Sequence, residues 1–277
     1  MTPTPTQGPL SREHFGFLQQ HVYAGSGIVL DTEKQYLLEA RLAPILREHR
    51  LASLADLCET MRSTGSGALH RDVVEAMTTN ETYFFREPAH YEALRQTILP
   101  ALMELRSVTR KLSFWSAASS TGQEAYSLAM MLLDMGLESW NIEILGTDLS
   151  TRVLEQAKAA RFSQLQVNRG LPATHLLRYF RRVGLDWELK EEVRRMVRFR
   201  SFDLRSSMSS LGPFDVVFCR NVLIYFDGAT KKRILDEIHG SLFRGGYLLV
   251  GTTEAALPAG ERYCRRTAGG ATVYAAT

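Results

Sequence analysis

The sequence predicts an α/β protein. A doubly wound, mixed seven-stranded sheet follows a small all-helical N-terminal domain and is interrupted by a small inserted subdomain. Three observations carry this expectation. From Lys111 onward, short apolar runs alternate with helical patterns, the arrangement that builds a parallel sheet covered on both faces. The chain closes on two alternating runs around Ala268-Gly269-Gly270-Ala271, a hairpin that adds an antiparallel strand. Residues 11–78 show helical periodicity only.

The elements follow in order. The opening Met1-Thr-Pro-Thr-Pro-Thr-Gln-Gly-Pro9 has neither the basic start nor the apolar run of a secretory signal, so residues 1–10 are expected to be a disordered, polar lead-in. Ser11 can cap a helix that carries Phe15, Leu18 and Val22 on one face. Asp31 can cap the next, with Leu38, Leu42, Ile45 and Leu46. Ser53 opens a third, with Leu54, Leu57 and Met61; Gly65-Ser66-Gly67 breaks the pattern before a short helix from His70 to Met77. Residues 79–90 are rich in hydroxyls, amide and aromatics without a clean period and read as a linker that contacts something. A helix from about Pro88 to about Arg106 should bend at Pro100.

From 91 to 277 the chain reads as one α/β domain. Strands are expected at 111–116, 141–147, 196–202, 214–219 and 246–251, and in the closing hairpin at 262–267 and 272–275. Phe214-Asp-Val-Val-Phe-Cys219 has the composition of a buried central strand. The stretch from Ala159 to Met196 is longer than one crossover needs, which places the inserted subdomain at about 161–195.

Bulk properties exclude several classes. The chain has 277 residues, 45% of them apolar and 23% charged, as in ordinary globular proteins. A net charge of +3 lacks the strongly basic stripe of a nucleic-acid binder. Three widely spaced cysteines, Cys58, Cys219 and Cys264, fit reduced thiols in a cytoplasm and neither a disulfide framework nor a metal site. No apolar run reaches the roughly 20 residues of a membrane-spanning helix.

The chemistry concentrates after the first strand. Ser116-Ala-Ala-Ser-Ser-Thr-Gly122 has no bulky side chain and runs into a helix at Gln123-Glu124; the second strand ends at the acid Asp148. Strand, small-residue turn, helix, strand and acid build a nucleoside-binding crevice at the carboxyl edge of a parallel sheet. A helix packed tightly on a strand gives the same small-residue turn, and G-x-G-x-x-G is missing, so both readings stand on this stretch alone.

Four patches together resemble one family. They are Thr79-Asn80-Glu-Thr82-Tyr-Phe-Phe-Arg86-Glu87, Trp115-Ser-Ala-Ala-Ser-Ser-Thr-Gly-Gln-Glu124-Ala-Tyr-Ser127, Gly146-Thr-Asp148-Leu-Ser150, and Gly212-Pro-Phe-Asp215-Val-Val-Phe-Cys-Arg220-Asn221-Val-Leu-Ile-Tyr225-Phe226. In this order they resemble the chemotaxis receptor glutamate O-methyltransferases of the CheR type. The resemblance implies a class I methyltransferase-like sheet, S-adenosylmethionine as methyl donor, S-adenosylhomocysteine as product, and methyl-accepting chemoreceptor cytoplasmic helices as partners. It also implies a bacterial, cytoplasmic enzyme of chemotaxis signal transduction that contacts neither nucleic acid nor membrane lipid. Regulators of unknown kind can bind the helical domain.

The resemblance implies residue roles as well. Glu124 meets the cofactor's amino group, Asp148 its ribose, and Asp203 and Leu204 its adenine; the family often has Asn in place of Asp203. Asn80, Thr82 and Arg86 belong to a segment that covers the cofactor, and Ala118 lies in the turn against it. Arg86 can hold a carboxylate of cofactor or substrate by a forked hydrogen bond. Arg220 and Asn221 follow the fourth strand, and Tyr225 can orient the incoming carboxylate, so Arg86 and Tyr225 are the candidate catalytic residues. Asp148 can equally cap the helix that begins near Thr151. Lys34, Arg41, Arg47, His49 and Arg50 form a charged face, either solvated or able to meet an acidic receptor helix. The inserted stretch Arg181-Arg-Val-Gly-Leu-Asp-Trp-Glu-Leu-Lys-Glu-Glu192 has a single glycine where tether-binding members carry a glycine-rich turn. This predicts an enzyme that needs no receptor peptide tether. A catalytically silent adaptor that binds S-adenosylmethionine is the competing reading.

Overall fold

The computed structural model describes residues 10–31, 35–255 and 262–277. The chain divides into two compact units, residues 1–79 with 225–227, and residues 80–224 with 228–277.

The first unit contains α1 (Arg12–Ser26), α2 (Gln35–Glu48), α3 (Leu54–Thr64) and α4 (Ala68–Met77). Leu18, Val22, Leu42, Leu57 and Val73 are fully buried between the helices, on the faces that the helical period marks. The Ser11 and Ser53 hydroxyls accept from the His14 and Asp56 amides and cap α1 and α3. Residues 1–9 and 32–34 lie outside the described residues, and with them the expected lead-in, the start of α2 that Asp31 was expected to cap, and Lys34. Arg41 departs from the docking face expected of it. Its guanidinium donates to the Met77 carbonyl at 2.7 Å and to Thr79 Oγ1 at 2.9 Å. It therefore satisfies the open carbonyl end of α4, which a cation stabilises. Arg47 and Arg50 are exposed, and His49 faces Asp72 at 3.1 Å.

The second unit opens with α5 (Pro88–Ala93), a π turn (Leu94–Ile98) and α6 (Leu99–Leu105). The irregularity expected at Pro100 thus begins a turn earlier, where the hydrogen bonds shift register before the ring that cannot donate. There follow β1 (Lys111–Ala117), α7 (Gln123–Asp134), β2 (Asn141–Asp148), α8 (Thr151–Ala159) and β3 (Arg161–Ser163). Next come α9 (Gln164–Asn168), α10 (Ala173–Tyr179), β4 (Phe180–Val183), β5 (Asp186–Leu189), α11 (Glu191–Arg194) and β6 (Val197–Ser201). The chain ends with β7 (Phe214–Cys219), α12 (Gly228–Gly240), β8 (Leu242–Val250), β9 (Tyr263–Ala268) and β10 (Ala271–Ala276).

Seven strands form one sheet in the order β6-β2-β1-β7-β8-β10-β9, in which β10 runs antiparallel to both neighbours. This is the mixed, doubly wound sheet that the sequence predicts. The register aligns the carboxyl ends: Ala117 lies abreast of Thr147 and of Cys219, and Cys219 abreast of Val250. The loops after β1, β2, β7 and β8 therefore leave the sheet at one level, where ligands bind in such folds.

The insertion is a separate antiparallel sheet in the order β3-β5-β4. Phe84, fully buried, sits between Phe162 of β3 and Phe180 of β4, with ring centroids at 5.0 and 5.7 Å. Gly170, at φ +80°, runs so close to this segment that a Cβ would stand 2.0 Å from the Phe84 carbonyl oxygen. The Glu81 carboxylate pairs with Arg169 at 2.5 Å. The segment before α5 is thus anchored on the insertion through one aromatic plug. Phe84→Ala removes that plug and is expected to destabilise the α/β unit by about 3–5 kcal/mol, read as the shift of its denaturant midpoint.

Candidate cofactor site

The turn after β1 is shaped by three residues at positive φ: Ala118 (59°), Ser120 (50°) and Gly122 (91°). The Ser119 amide donates to the Thr147 carbonyl at 2.8 Å and that of Gly122 to the Ser119 carbonyl at 3.0 Å, which folds the turn back over β2. Only small side chains fit here. A Cβ at Gly146 would meet the Phe199 ring at 2.5 Å and Ser119 Oγ at 3.1 Å. Asp148, buried at the end of β2, accepts from the Ser120 amide through Oδ2 at 2.9 Å and from the Ser150 amide through Oδ1 at 3.0 Å. The Ser120 hydroxyl donates to the Asn80 carbonyl at 2.8 Å. The structure thus brings Asn80, Ala118 and Asp148 together. The N-cap of α8 is Ser150, whose hydroxyl accepts from the Val153 amide.

Beside the turn lies a charged chain. Glu124, in the first turn of α7, accepts from Ser116 Oγ at 2.7 Å and from Arg220 Nη1 at 2.8 Å. The Arg220 side chain is 1% exposed, and its Nη2 donates to Glu87 Oε2 at 3.1 Å and to the Arg86 carbonyl. Glu87 Oε1 accepts from Asn221 Nδ2 at 3.2 Å, and Oε2 from the Thr252 amide at 3.2 Å. Burial alone would lower the Arg220 pKa, but the Glu124 and Glu87 carboxylates outweigh it and hold the guanidinium above its usual range. Burial likewise pushes the Glu87 carboxyl up, and Arg220 with the Asn221 hydrogen bond brings it below the usual carboxylate value. His90 is 3% exposed; burial first, then the Arg220 charge, push it down to about 4. Its 3.3 Å approach to Glu87 is therefore a contact of a neutral imidazole at neutral pH.

The remaining expected residues have contacts of their own. Asp203 is held by Arg205, which donates to both carboxylate oxygens at 2.7–3.1 Å, so the acid next to buried Leu204 already has a cation. Arg86 donates to the Glu81 carbonyl at 2.9 Å and lies over the Tyr83 ring. Thr82 is half-buried between Glu81 and Tyr83. Tyr225 groups with the helical unit, where its carbonyl accepts from the Val29 amide at 3.0 Å. Arg220 is a buried strut between two acids at the edge where the sequence reading expects the cofactor. Glu87, His90 and Glu254 were given no role in the sequence reading. Glu87 stands inside a quoted motif, and its φ of +56° is invisible in sequence.

Residues 13–78 match the family described as CheR methyltransferase, all-alpha domain, and residues 80–268 match CheR methyltransferase, SAM binding domain. The chain is 44% identical over 235 residues to chemotaxis protein methyltransferase 1 of Pseudomonas aeruginosa, covering 83% of this chain and 85% of that one. It is 41% identical to chemotaxis protein methyltransferase Cher2 of Pseudomonas putida, with the same coverage. A chemotaxis protein methyltransferase of Vibrio parahaemolyticus is 37% identical over 252 residues, 89% of this chain and 90% of that one. No helix among the described residues is long and apolar enough to cross a membrane, and none of their His, Cys, Asp or Glu side chains group as metal ligands.

The His90–Glu87 pair has a pH signature. His90 is neutral in the fold, so the stability it leaves intact above its ordinary 6.5 is lost as pH falls from 6.5 toward about 4. Glu87 adds a loss below its ordinary 4.5, because its folded pKa is lowered. His90→Gln should flatten the dependence of Tm on pH between 6.5 and about 4 and leave the steeper fall below it, as followed by differential scanning fluorimetry.

Proposed function

Because the chain belongs to the CheR methyltransferase family, an S-adenosylmethionine-dependent group of chemotaxis protein methyltransferases, we propose that it esterifies glutamate side chains on the cytoplasmic helices of methyl-accepting chemoreceptors. One observation carries the site reading: Glu124, at the start of α7, and Asp148, at the end of β2, flank the small-residue turn at the shared carboxyl edge of the sheet. Ser119 Oγ in that turn is buried and has no hydrogen-bond partner among the described residues, as a polar ligand site requires. The residues fit the cofactor. A carboxylate takes about four acceptor contacts, and Glu124 accepts from Ser116 and Arg220, so it can also receive an ammonium; Asp148, at the end of β2, stands at the sheet edge where the ribose would lie.

When bound, S-adenosylmethionine supplies a methyl group made electrophilic by its sulfonium. The acceptor needs no general base, since a glutamate carboxylate is ionised at neutral pH. The protein's part is to hold the two partners in line and to exclude water. Asn80, Ala118, Glu124, Asp148, Leu204 and Asn221 bind and orient the cofactor. Asp203, held by Arg205, accepts from the adenine amino group. Arg86 holds a carboxylate and Tyr225 orients the incoming one, with Thr82 completing the cover. Arg47 and Arg50 offer the cationic face for an acidic receptor helix.

Receptor choice is the finer part of the reading. The turn between β4 and β5 contains one glycine, Gly184, which supports recognition of receptors without a peptide tether. Calorimetric titration with an aromatic-acidic tail peptide should show no low-micromolar binding; saturable heat in that range would reject this part alone. The main test uses labelled S-adenosylmethionine with receptor-containing membranes, followed by alkali. Methyl esters release methanol in base, and Asp148→Ala should lower that release at least about 10-fold at limiting cofactor, by raising KM. Cofactor binding without base-labile transfer would favour the silent adaptor.

A further inference from the structure

We propose that Glu254 is a positioning residue that presents Asn221 to the cofactor; this rests on reading the carboxyl edge as the S-adenosylmethionine site. Glu254 is 2% exposed and closes the short turn Thr252–Glu254 after β8. No cation is paired with it among the described residues. Its charge is held by backbone amides alone: Oε2 accepts from Asn221 at 2.7 Å and from Gly251 at 2.8 Å, and Oε1 from Ile224 at 3.2 Å. A buried carboxylate without such donors would be costly, and bonds to an ionised acceptor are the stronger kind. The three amides belong to the loops that follow β7 and β8. One side chain therefore fixes both loops at the edge where the cofactor is read.

The fixed object is Asn221. It sits at φ +58°, a conformation that asparagine tolerates better than most residues. Glu254 holds its backbone N–H, and Glu87 holds its Nδ2. Gly251 leaves the space for this: a Cβ there would lie 2.6 Å from Asn221 Nδ2 and 2.8 Å from Glu254 Oε2. The carboxamide of Asn221 thus has one orientation. Its Oδ1 makes no hydrogen bond among the described residues, so it is the acceptor offered to an N–H or O–H donor of the ligand. Glu254 touches no reacting atom; it acts through Asn221.

A double-mutant cycle in the full-length protein tests this, read by calorimetric affinity for S-adenosylhomocysteine. Asn221→Ala and Glu254→Gln should each weaken binding about 10-fold, and the double variant should also stay near 10-fold, because the second change removes what the first has already lost. Losses that multiply to about 100-fold, or wild-type affinity of Glu254→Gln, would overturn the proposal. Wild-type affinity of Asn221→Ala would overturn the reading of the site itself, and so separates the two failures. Gly251→Ala, which displaces the same carboxamide, supplies a second cycle if Glu254→Gln does not fold, with the same two outcomes.

Discussion

A buried guanidinium between two acids is the constraint on which the site depends. Arg220 leaves the end of β7, Glu124 the start of α7, and Glu87 the segment that precedes α5. Removing one member of such a buried set costs about 3–5 kcal/mol, because the others are left charged and unsolvated. Three elements far apart in sequence are thereby held at one sheet edge. The pairing also fixes the Glu124 carboxylate, only 14% exposed, at the edge where an ammonium can meet it. Burial first and then the same cation push the His90 pKa down, and against burial that cation, with the Asn221 hydrogen bond, holds the Glu87 carboxyl below its usual value.

This architecture suits a reaction whose chemistry resides in the methyl donor. A protein that need not create a nucleophile can devote its buried polar groups to geometry. Glu124, Asp148 and Glu254 each use carboxylate oxygens on hydroxyl, amide or guanidinium donors of neighbouring loops. Each loop at the carboxyl edge is thereby tied to another, which preorganises the edge before a ligand arrives.

Much of the fold was legible because it is written locally. The strands from β1 to β10 in the large sheet follow apolar runs whose period and flanking turns need no distant information. The Ser11 and Ser53 caps depend on contacts three residues away. The small-residue turn and Asp148 were legible for the same reason. What escaped was the pairing of charges. Arg220 meets Glu124 across 96 residues and the Arg86 carbonyl across 134. Arg41 looked like part of a docking face until its carbonyl partners at the end of α4 were seen. Asp203 was read from its place after the third sheet strand, and its pairing with Arg205 was not legible there. Glu254 was missed because two of its three partners, the amides of Asn221 and Ile224, are brought to it by the register of β7 and β8. The shift of Pro100's bend into a π turn likewise depends on packing and on no residue type.

The central claim is that Glu124, shared with Arg220, receives the charged tail of the cofactor. The most direct measurement compares the calorimetric affinities of S-adenosylhomocysteine and of 5′-methylthioadenosine, which lacks the amino acid tail, for wild type and Glu124→Gln. The account predicts that wild type prefers S-adenosylhomocysteine strongly and that Glu124→Gln erases most of this preference while 5′-methylthioadenosine binds as before. Equal weakening of both ligands, or an unchanged preference, would contradict it.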